Sequence, residues 1–264
     1  MKAVISYMVD IHSHICYGVD DGSRSLDESL AMLEIAIQGG TTDIVATPHS
    51  DLKFHFHPDV VSQRVAEMQE RIGDRIRIHR GCDFHLFFDN IRNCLENRTP
   101  YTINGKRYLM VEFADSSIPK TINDVFTSFL QKDITPVITH PERNALLMGR
   151  VGDMVRWVRS GCLIQLTAAS FTGRFGKSAE ANCRKLMDRK MVHFVASDAH
   201  DTEWRPPDMR EARKIVAEGW GEDTAKRLFE TYPQIALTDE YIDCEDPEDV
   251  AEKKSWLSFL GKKG

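Results

Sequence analysis

The sequence predicts an α/β fold in which seven parallel strands form a closed or nearly closed, TIM-like (β/α)7 barrel. Short runs rich in β-branched residues alternate along the chain with longer amphipathic helical stretches. Most strand candidates are followed by a helical pattern, and repeated strand–helix units favour a parallel sheet. No linker, low-complexity tract or sequence repeat divides the 264 residues. We therefore expect a single domain over residues 1–264.

Taken in order, the strand candidates are short apolar runs, at residues 9–11, 43–46, 75–79, 108–112, 135–138, 162–166 and 193–196. The clear helix candidates are residues 25–38, 60–72, 122–132, 151–159 and 179–189, with another helix after Pro207. Ser25 begins the first helix and Glu28 follows three residues later, which is the spacing of a capping box. From about residue 239 the chain is acidic and then basic, so we expect a peripheral segment with solvated charges.

Composition argues against several classes of function. The formal net charge is −6, whereas nucleic-acid-binding domains usually carry a basic face. No stretch approaches the roughly 20 apolar residues needed to span a bilayer. The first apolar run reaches Asp10 too soon for a signal peptide. None of the six cysteines forms a C-x-x-C pair, which indicates reduced thiols in a cytoplasmic protein rather than a disulfide framework.

Histidines and carboxylates follow six of the seven strand candidates. The C-terminal ends of parallel strands meet at one mouth of a barrel, so we expect these side chains to converge there. His12 and His14 point to the same side of an extended chain, and Asp198 and His200 repeat that spacing. The nine candidate metal ligands are His12, His14, Asp21, His49, Asp83, Glu112, His140, Asp198 and His200.

Nine ligands are too many for one ion, so the sequence predicts two or three ions with a carboxylate such as Glu112 bridging between them. Imidazole and carboxylate donors without thiolate suit Mn²⁺, Fe²⁺ or Zn²⁺.

The segments that carry these residues resemble the PHP superfamily, named for polymerase and histidinol phosphatase domains. Within it, the sequence is most similar to bacterial manganese-dependent protein-tyrosine phosphatases of capsule and exopolysaccharide operons, the CpsB/CapC type. The similar segments are DIHSHICYGVDDGSRSLDESLAM, IVATPH, the glutamate of MVEF, THPER, QLTAASFTGRFGKSA and VHFVASDAHDTEWRPP. The resemblance implies a single PHP-type phosphatase domain, built as a distorted seven-stranded barrel with a three-metal site.

The resemblance also implies how the ligands are shared among the ions. It assigns His12, His14, Glu112 and Asp198 to one ion, His49, Glu112 and His140 to the second, and Asp21, Asp83 and His200 to the third. The family usually has Glu where this chain has Asp83, and the shorter arm weakens the expectation for the third ion. Arg143 and Arg205 match arginines that contact the phosphate, for which a guanidinium supplies planar paired donors.

The implied function is dephosphorylation of phosphotyrosine on a protein, with a bacterial tyrosine autokinase of capsule or exopolysaccharide synthesis as the expected partner. Mn²⁺ is the implied ion, two or three per chain, with Fe²⁺, Co²⁺ and Zn²⁺ as alternatives. A small-molecule phosphatase, such as a histidinol-phosphate phosphatase, is the alternative within the same fold. A catalytically inactive binding module is a third hypothesis, which the intact ligand set argues against.

Three further patterns have competing interpretations. Cys183 and Arg189 have the C-x₅-R spacing of cysteine-dependent phosphatases, but the residues between them lack Gly and form a helical pattern, so we expect Cys183 in the core. Phe54 and Phe56 either flank an aromatic leaving group or pack in the core. Residues 170–177 form either a lip around the mouth or a turn before the next helix.

Overall fold

The computed structural model describes residues 7–248, whose strands pair only in parallel. The strands are β1 (Met8–Ser13), β2 (Thr41–Ala46), β3 (His49–Ser50), β4 (Arg77–Arg80), β5 (Asp83–His85), β6 (Tyr108–Glu112), β7 (Thr135–Thr139), β8 (Leu163–Thr167) and β9 (Phe194–Ala196). Hydrogen bonds join them into two sheets, in the orders β1-β2-β4 and β3-β5-β6-β7-β8-β9. The predicted α/β class with parallel strands is therefore confirmed.

A short additional strand follows each of the second and third predicted strands. Pro48, which has no backbone N–H to donate to a ladder, separates β2 from His49 at the start of β3. A similar break separates Arg80 at the end of β4 from Asp83 at the start of β5. The ladder changes partners at these breaks, so the strands of residues 7–248 form two sheets, and the predicted closed or nearly closed seven-stranded barrel is not confirmed.

Helices connect most of the strands and cover them on the outside. They are α1 (Leu26–Gln38), α2 (Pro58–Ile72), α3 (Phe88–Glu96), α4 (Ile122–Gln131), α5 (Ala145–Met148), α6 (Val151–Arg159), α7 (Ala168–Phe171), α8 (Gly176–Met187), α9 (Arg210–Trp220), α10 (Glu222–Lys226) and α11 (Tyr232–Thr238). The Ser25 side chain caps α1 by accepting from the Glu28 backbone N–H. The Glu28 carboxylate returns to the backbone N–H of Arg24 at 2.8 Å, one residue before the position that a capping box specifies.

Side chains of strands from both sheets meet in one buried apolar cluster. It contains Val9 of β1, Val45 of β2, Tyr108 of β6 and Phe194 of β9. The rings of Tyr108 and Phe194 contact edge to face, with centroids 6.4 Å apart. Leu237 of α11 joins this cluster. The two sheets therefore share one interior, which holds the strands in the positions from which their C-terminal ends converge.

The segment after α11 contacts the residues around the start of β6. Asp239 accepts a hydrogen bond from the backbone N–H of Arg107 at 2.9 Å. The Tyr108 hydroxyl donates to the Glu240 carbonyl at 2.6 Å. The predicted basic end lies outside the described residues. Among residues 7–248, no helix combines the length and apolarity needed to cross a membrane.

Candidate metal centre

All nine predicted ligands lie on strands or on the segments that follow them, and they converge in four overlapping groups. The donor atoms within each group lie within 4.8 Å of one another. The groups are His14, Asp21, His49 and His200; His49, Asp83, His85 and Glu112; His12, His140 and Asp198; and His12, His14 and Asp83. The chain therefore brings together residues separated by almost two hundred positions, and a tenth residue, His85, joins them.

Three of the histidines are oriented by hydrogen bonds on one side of the ring. The Nδ1 of His12 donates to the Gln165 side-chain oxygen at 3.0 Å. The Nδ1 of His14 donates to Asp20 at 2.7 Å, and that of His200 donates to the Asp198 carbonyl at 3.0 Å. A proton held at Nδ1 leaves the lone pair on Nε2, which is the arrangement that metal-binding histidines usually have.

The interior of the site contains atoms of the predicted ligands that make no hydrogen bond. Both oxygens of Asp83, one oxygen of Glu112 and the Nδ1 of His49 are buried without a hydrogen-bond partner. The Nε2 atoms of His12 and His14 face each other at 3.3 Å. Buried polar atoms without partners are costly, and convergent imidazole and carboxylate donors bind divalent ions. The residues therefore fit a site for more than one divalent ion.

The grouping of the ligands differs from the one that the resemblance implies. Asp83 lies 3.6 Å from His12 and 3.2 Å from His49, whereas the group around Asp21 and His200 does not include it. His49 faces both ways, because its Nε2 is 3.4 Å from Asp21 and its Nδ1 is 3.2 Å from Asp83. Asp83 therefore lies between the other groups instead of beside Asp21 and His200.

Arg143 and Arg205 converge on one oxygen of Asp198. Their guanidinium groups donate to Asp198 Oδ2 at 2.7 Å and 2.5 Å. The other oxygen, Oδ1, lies 3.6 Å from His12 and 3.5 Å from His14. One face of Asp198 thus belongs to the ligand groups and the other face holds the two predicted phosphate-binding arginines side by side.

The backbone at two of the predicted ligands has a conformation that non-glycine residues rarely adopt. His140 has φ of 34°, and Asp198 has φ of 51°. Such positions cost on the order of 1–3 kcal/mol each and persist where surrounding contacts enforce them. Here the backbone N–H of His140 donates to Gln165, and that of Asp198 donates to His12. These two backbone hydrogen bonds lie just beyond the ends of β7 and β9. They fix the directions in which the side chains of His140 and Asp198 leave the backbone.

Burial and neighbouring charges set the protonation of the site. Burial would raise the pKa of Asp198, but Arg143 and Arg205 hold it well below its usual range. Burial and the Arg143 charge hold the pKa of His140 well below normal, so this ring is neutral. Burial opposes protonation of His12, yet Asp83 and Asp198 raise its pKa to about 9. Without ions, His12 thus carries a proton that a bound cation must displace.

The structure also shows where the three patterns with competing interpretations lie. Cys183 is fully buried in α8, and burial raises the pKa of its thiol, which supports a core role. The Phe54 ring stacks on His49 with centroids 6.0 Å apart, whereas Phe56 packs against Tyr101 at 5.7 Å. Residues 170–177 include the turn between α7 and α8, and Phe175 in that turn lies beside both arginines, 4.5 Å from Arg143.

Three residues of the site were absent from the set of predicted ligands. His85 follows Asp83 at the same i, i+2 spacing that singled out His12 and His14, so that rule applied to this strand would have found it. Asp20 and Gln165 act through the histidines that they orient. Nothing in their local sequence distinguishes them, since their partners come from other strands or turns.

Comparisons with known proteins place the sequence among relatives of one family. A profile of the family described as capsular polysaccharide synthesis, CpsB/CapC, matches residues 8–238. The tyrosine-protein phosphatase CpsB of Streptococcus pneumoniae is 32% identical over 89% of this chain and 100% of its own length. The tyrosine-protein phosphatase YwqE of Bacillus subtilis is 29% identical over 96% of this chain and 100% of its own length.

A solved structure supports the same relationship. It comes from work on YwqE from Bacillus subtilis and CpsB from Streptococcus pneumoniae, described as metal-dependent tyrosine phosphatases. It superposes with a TM-score of 0.86 at 27% identity, and the match covers 91% of this chain and 98% of that one. With a family profile that spans most of its length, this chain belongs to the CpsB/CapC family of capsular polysaccharide synthesis proteins.

Proposed function

We propose that this chain is a metal-dependent phosphatase that removes phosphate from tyrosine residues of proteins. One observation carries the proposal: inward-facing imidazole and carboxylate atoms adjoin two arginines that converge on a single oxygen of Asp198. The names of the relatives, tyrosine-protein phosphatases, support the same reaction.

The ligand groups would hold two or three divalent ions, with Mn²⁺ as the proposed metal. The proposed ligands are the nine predicted residues, namely His12, His14, Asp21, His49, Asp83, Glu112, His140, Asp198 and His200. When bound, such ions activate water for attack on phosphorus and neutralise the charge of the phosphoryl group. Gln165 and Asp20 hold the His12 and His14 rings with Nε2 directed inward.

Arg143 and Arg205 would bind the phosphoryl oxygens. Both guanidinium groups are mostly enclosed, with exposed side-chain fractions of 22% and 19%, and both already point at one carboxylate oxygen. A phosphate that enters beside Asp198 would meet paired N–H donors, whose interaction strengthens as charge develops on its oxygens. Asp198 holds the two arginines apart from the ligand groups, so metal binding and phosphate binding occupy its two faces.

Aromatic side chains near the arginines and His49 are suited to a phenolic leaving group. Phe175 lies against both arginines, and Phe54 stacks on His49. Trp204, one residue before Arg205, is 62% exposed. Flat apolar rings of this kind stack on a tyrosine ring. We propose a phosphorylated bacterial tyrosine autokinase as the partner.

The chain is proposed to act in the cytoplasm, since its six cysteines are all free thiols. We also propose that the two sheets are the halves of one distorted barrel. A parallel bridge between Ser13 and Ala199 connects the end of β1 to the segment after β9. The shared apolar cluster inside both sheets supports the same arrangement.

The test is a comparison of substrates with and without metal. The protein, stripped with a chelator and reloaded with Mn²⁺, Co²⁺, Zn²⁺ or Mg²⁺, is assayed on phosphotyrosine peptides and on histidinol phosphate. We expect a metal-dependent preference in kcat/KM for the peptides. A preference for histidinol phosphate would exclude the proposed substrate, and activity that survives chelation would exclude the proposed chemistry.

A further inference from the structure

Strand β5 presents a histidine to the metal centre that the nine-residue ligand set does not contain. Asp83 and His85 lie two residues apart on β5, so their side chains point to the same side. In the parallel pairing, Asp83 is opposite His49 of β3, and His85 is opposite Glu112 of β6. The sheet register therefore places these four side chains as neighbours on one face of three adjacent strands.

The contacts of His85 are those of a ligand that faces a shared point. Its Nε2 lies 2.7 Å from Glu112 Oε2, yet both atoms are buried without hydrogen-bond geometry. The ring of His85 stacks on Phe87 with an interplanar angle of 11° and centroids 6.0 Å apart. The Asn90 side chain donates to the His85 carbonyl at 3.0 Å. Ring and backbone are both held while Nε2 points into the group.

His49 alone does not supply nitrogen to both of its groups. Its Nε2 faces Asp21 at 3.4 Å, and its Nδ1 faces Asp83 and Glu112 at 3.2 and 3.3 Å. A neutral imidazole has one lone pair and one N–H, so it ligates one ion at a time. If His49 binds the ion of the Asp21 group, the group around Asp83 and Glu112 needs a nitrogen from elsewhere.

The short side chain of Asp83 makes a further ligand more important. Asp83 is fully buried, and neither of its oxygens has a hydrogen-bond partner. A carboxylate with a shorter arm than Glu reaches less far across the group, whereas His85 lies two residues further along β5, opposite Glu112. The ring therefore fills the side of the group that lies nearest to Glu112.

We infer that His85 is itself a metal ligand, which together with Asp83 and Glu112 binds one ion of the centre. The inference rests on the proposed metal-dependent function and assigns a ligand within it. The rival role is an orienting donor, in which His85 holds Glu112 by a hydrogen bond and contacts no ion. The first role requires a ligand atom with a free lone pair at position 85, whereas the second requires an N–H donor.

Two substitutions separate these roles. His85→Gln keeps an N–H donor for Glu112 but is a poor ligand, whereas His85→Glu offers a ligand oxygen but no donor. The control is His55→Gln, because His55 is exposed and belongs to none of the ligand groups. Each protein is stripped with a chelator, titrated calorimetrically with Mn²⁺, and then dialysed for elemental analysis. Circular dichroism checks that each variant is folded.

We expect wild type and His55→Gln to retain the same number of ions. His85→Gln should retain one ion fewer, and His85→Glu should regain it with an affinity closer to wild type. Wild-type affinity and ion number in His85→Gln, with loss in His85→Glu, would overturn the inference and leave the metal centre intact. A wild type that retains fewer than two ions would overturn both the inference and the proposed function.

Discussion

At the scale of single residues, the two oxygens of Asp198 face different groups, the histidines on one side and the arginines on the other. Oδ1 lies near the rings of His12 and His14, and Oδ2 accepts from Arg143 and Arg205. The arginines hold its pKa well below the usual range, so this carboxylate is charged at neutral pH. One side chain thereby couples the position of the ligands to that of the arginines.

Loss of Arg143 should separate turnover from metal binding. Arg143→Ala removes one of the two donors for the phosphoryl oxygens but no ligand, so kcat should fall by about a hundredfold or more while ion content stays unchanged. Steady-state kinetics on a phosphotyrosine peptide and elemental analysis of the same sample measure the two effects. Arg156→Ala, on the exposed side of α6, is the matched control. Wild-type kcat in Arg143→Ala would contradict the assigned role.

Loss of a predicted ligand should remove activity without unfolding the chain. His140→Ala and Asp198→Ala each delete a donor from the same ligand group, so turnover should become undetectable while the far-ultraviolet circular dichroism is retained. Asp198→Ala should also lower thermal stability, because two guanidinium groups lose their shared partner. Full activity in His140→Ala would show that the ligand assignment is wrong.

The convergence of the nine predicted ligands could be foreseen because most of them follow recognisable strands. His12 and His14, for example, are linked by an i, i+2 spacing that a sequence displays directly. The position of Asp83 could not be predicted from spacing, because it depends on pairing of β5 with both β3 and β6. The contact between Asp20 and His14 depends on a turn, whose path no local periodicity specifies.

At the scale of elements, α8 excludes the cysteine mechanism. A cysteine-dependent phosphatase needs an exposed thiolate, whereas Cys183 has no exposed surface and burial raises its pKa. Cys183→Ala should therefore keep kcat within about twofold of wild type and lose on the order of 1 kcal/mol of stability through the small cavity. Phosphatase assays and urea unfolding measure the two quantities. Abolished turnover in a folded Cys183→Ala protein would revive the C-x₅-R interpretation.

Phe175, in the turn before α8, should stabilise the positions of the two arginine guanidinium groups. Its ring lies 4.5 Å from the guanidinium carbon of Arg143 and 5.7 Å from that of Arg205. Cation–π contacts contribute roughly 0.5–2 kcal/mol, so Phe175→Leu should lower kcat/KM by about threefold to thirtyfold, and Phe175→Tyr should restore most of it. Phe88→Leu, at a residue 76% exposed on α3, serves as the control. Equal kcat/KM for Phe175→Leu and wild type would remove this role.

Element boundaries were predictable where local chemistry fixes them. Helix α6 begins and ends at the predicted residues, and Ser25 caps α1 as expected. Helix α8 instead begins at Gly176, three residues before the predicted start, after a turn that Gly173 enters with positive φ. The short strand β3, which follows Pro48, was not predicted, because it depends on pairing with β5, a property of the assembled sheets.

At the scale of the whole molecule, His193 should make stability depend on pH. Burial, with the nearby Arg227 charge, lowers the pKa of His193 to about 3. Below about pH 6.5 the unfolded chain binds a proton at this residue that the folded chain does not bind. The free energy of unfolding therefore decreases as the pH is lowered from about 6.5 to about 3. This group alone contributes a slope of up to about 1.4 kcal/mol per pH unit.

His193→Gln should flatten that dependence. The Gln oxygen can accept the Ile164 backbone N–H that the His193 Nδ1 accepts at 3.1 Å, but it does not titrate. Urea unfolding of chelator-treated wild type and variant at pH 7 and pH 5 measures the difference, so that ions do not contribute. The variant should lose less stability than wild type between the two values. Parallel losses would show that His193 is not responsible.

The backbone conformation at His140 places the stability of the folded chain in conflict with its activity. Glycine adopts φ of 34° without the steric cost that His140 bears, so His140→Gly should relax metal-free protein even as it destroys a ligand group. Laboratory evolution that rewards heat resistance alone would therefore drift toward an inert scaffold. Any such campaign needs a counter-selection for turnover from its first round.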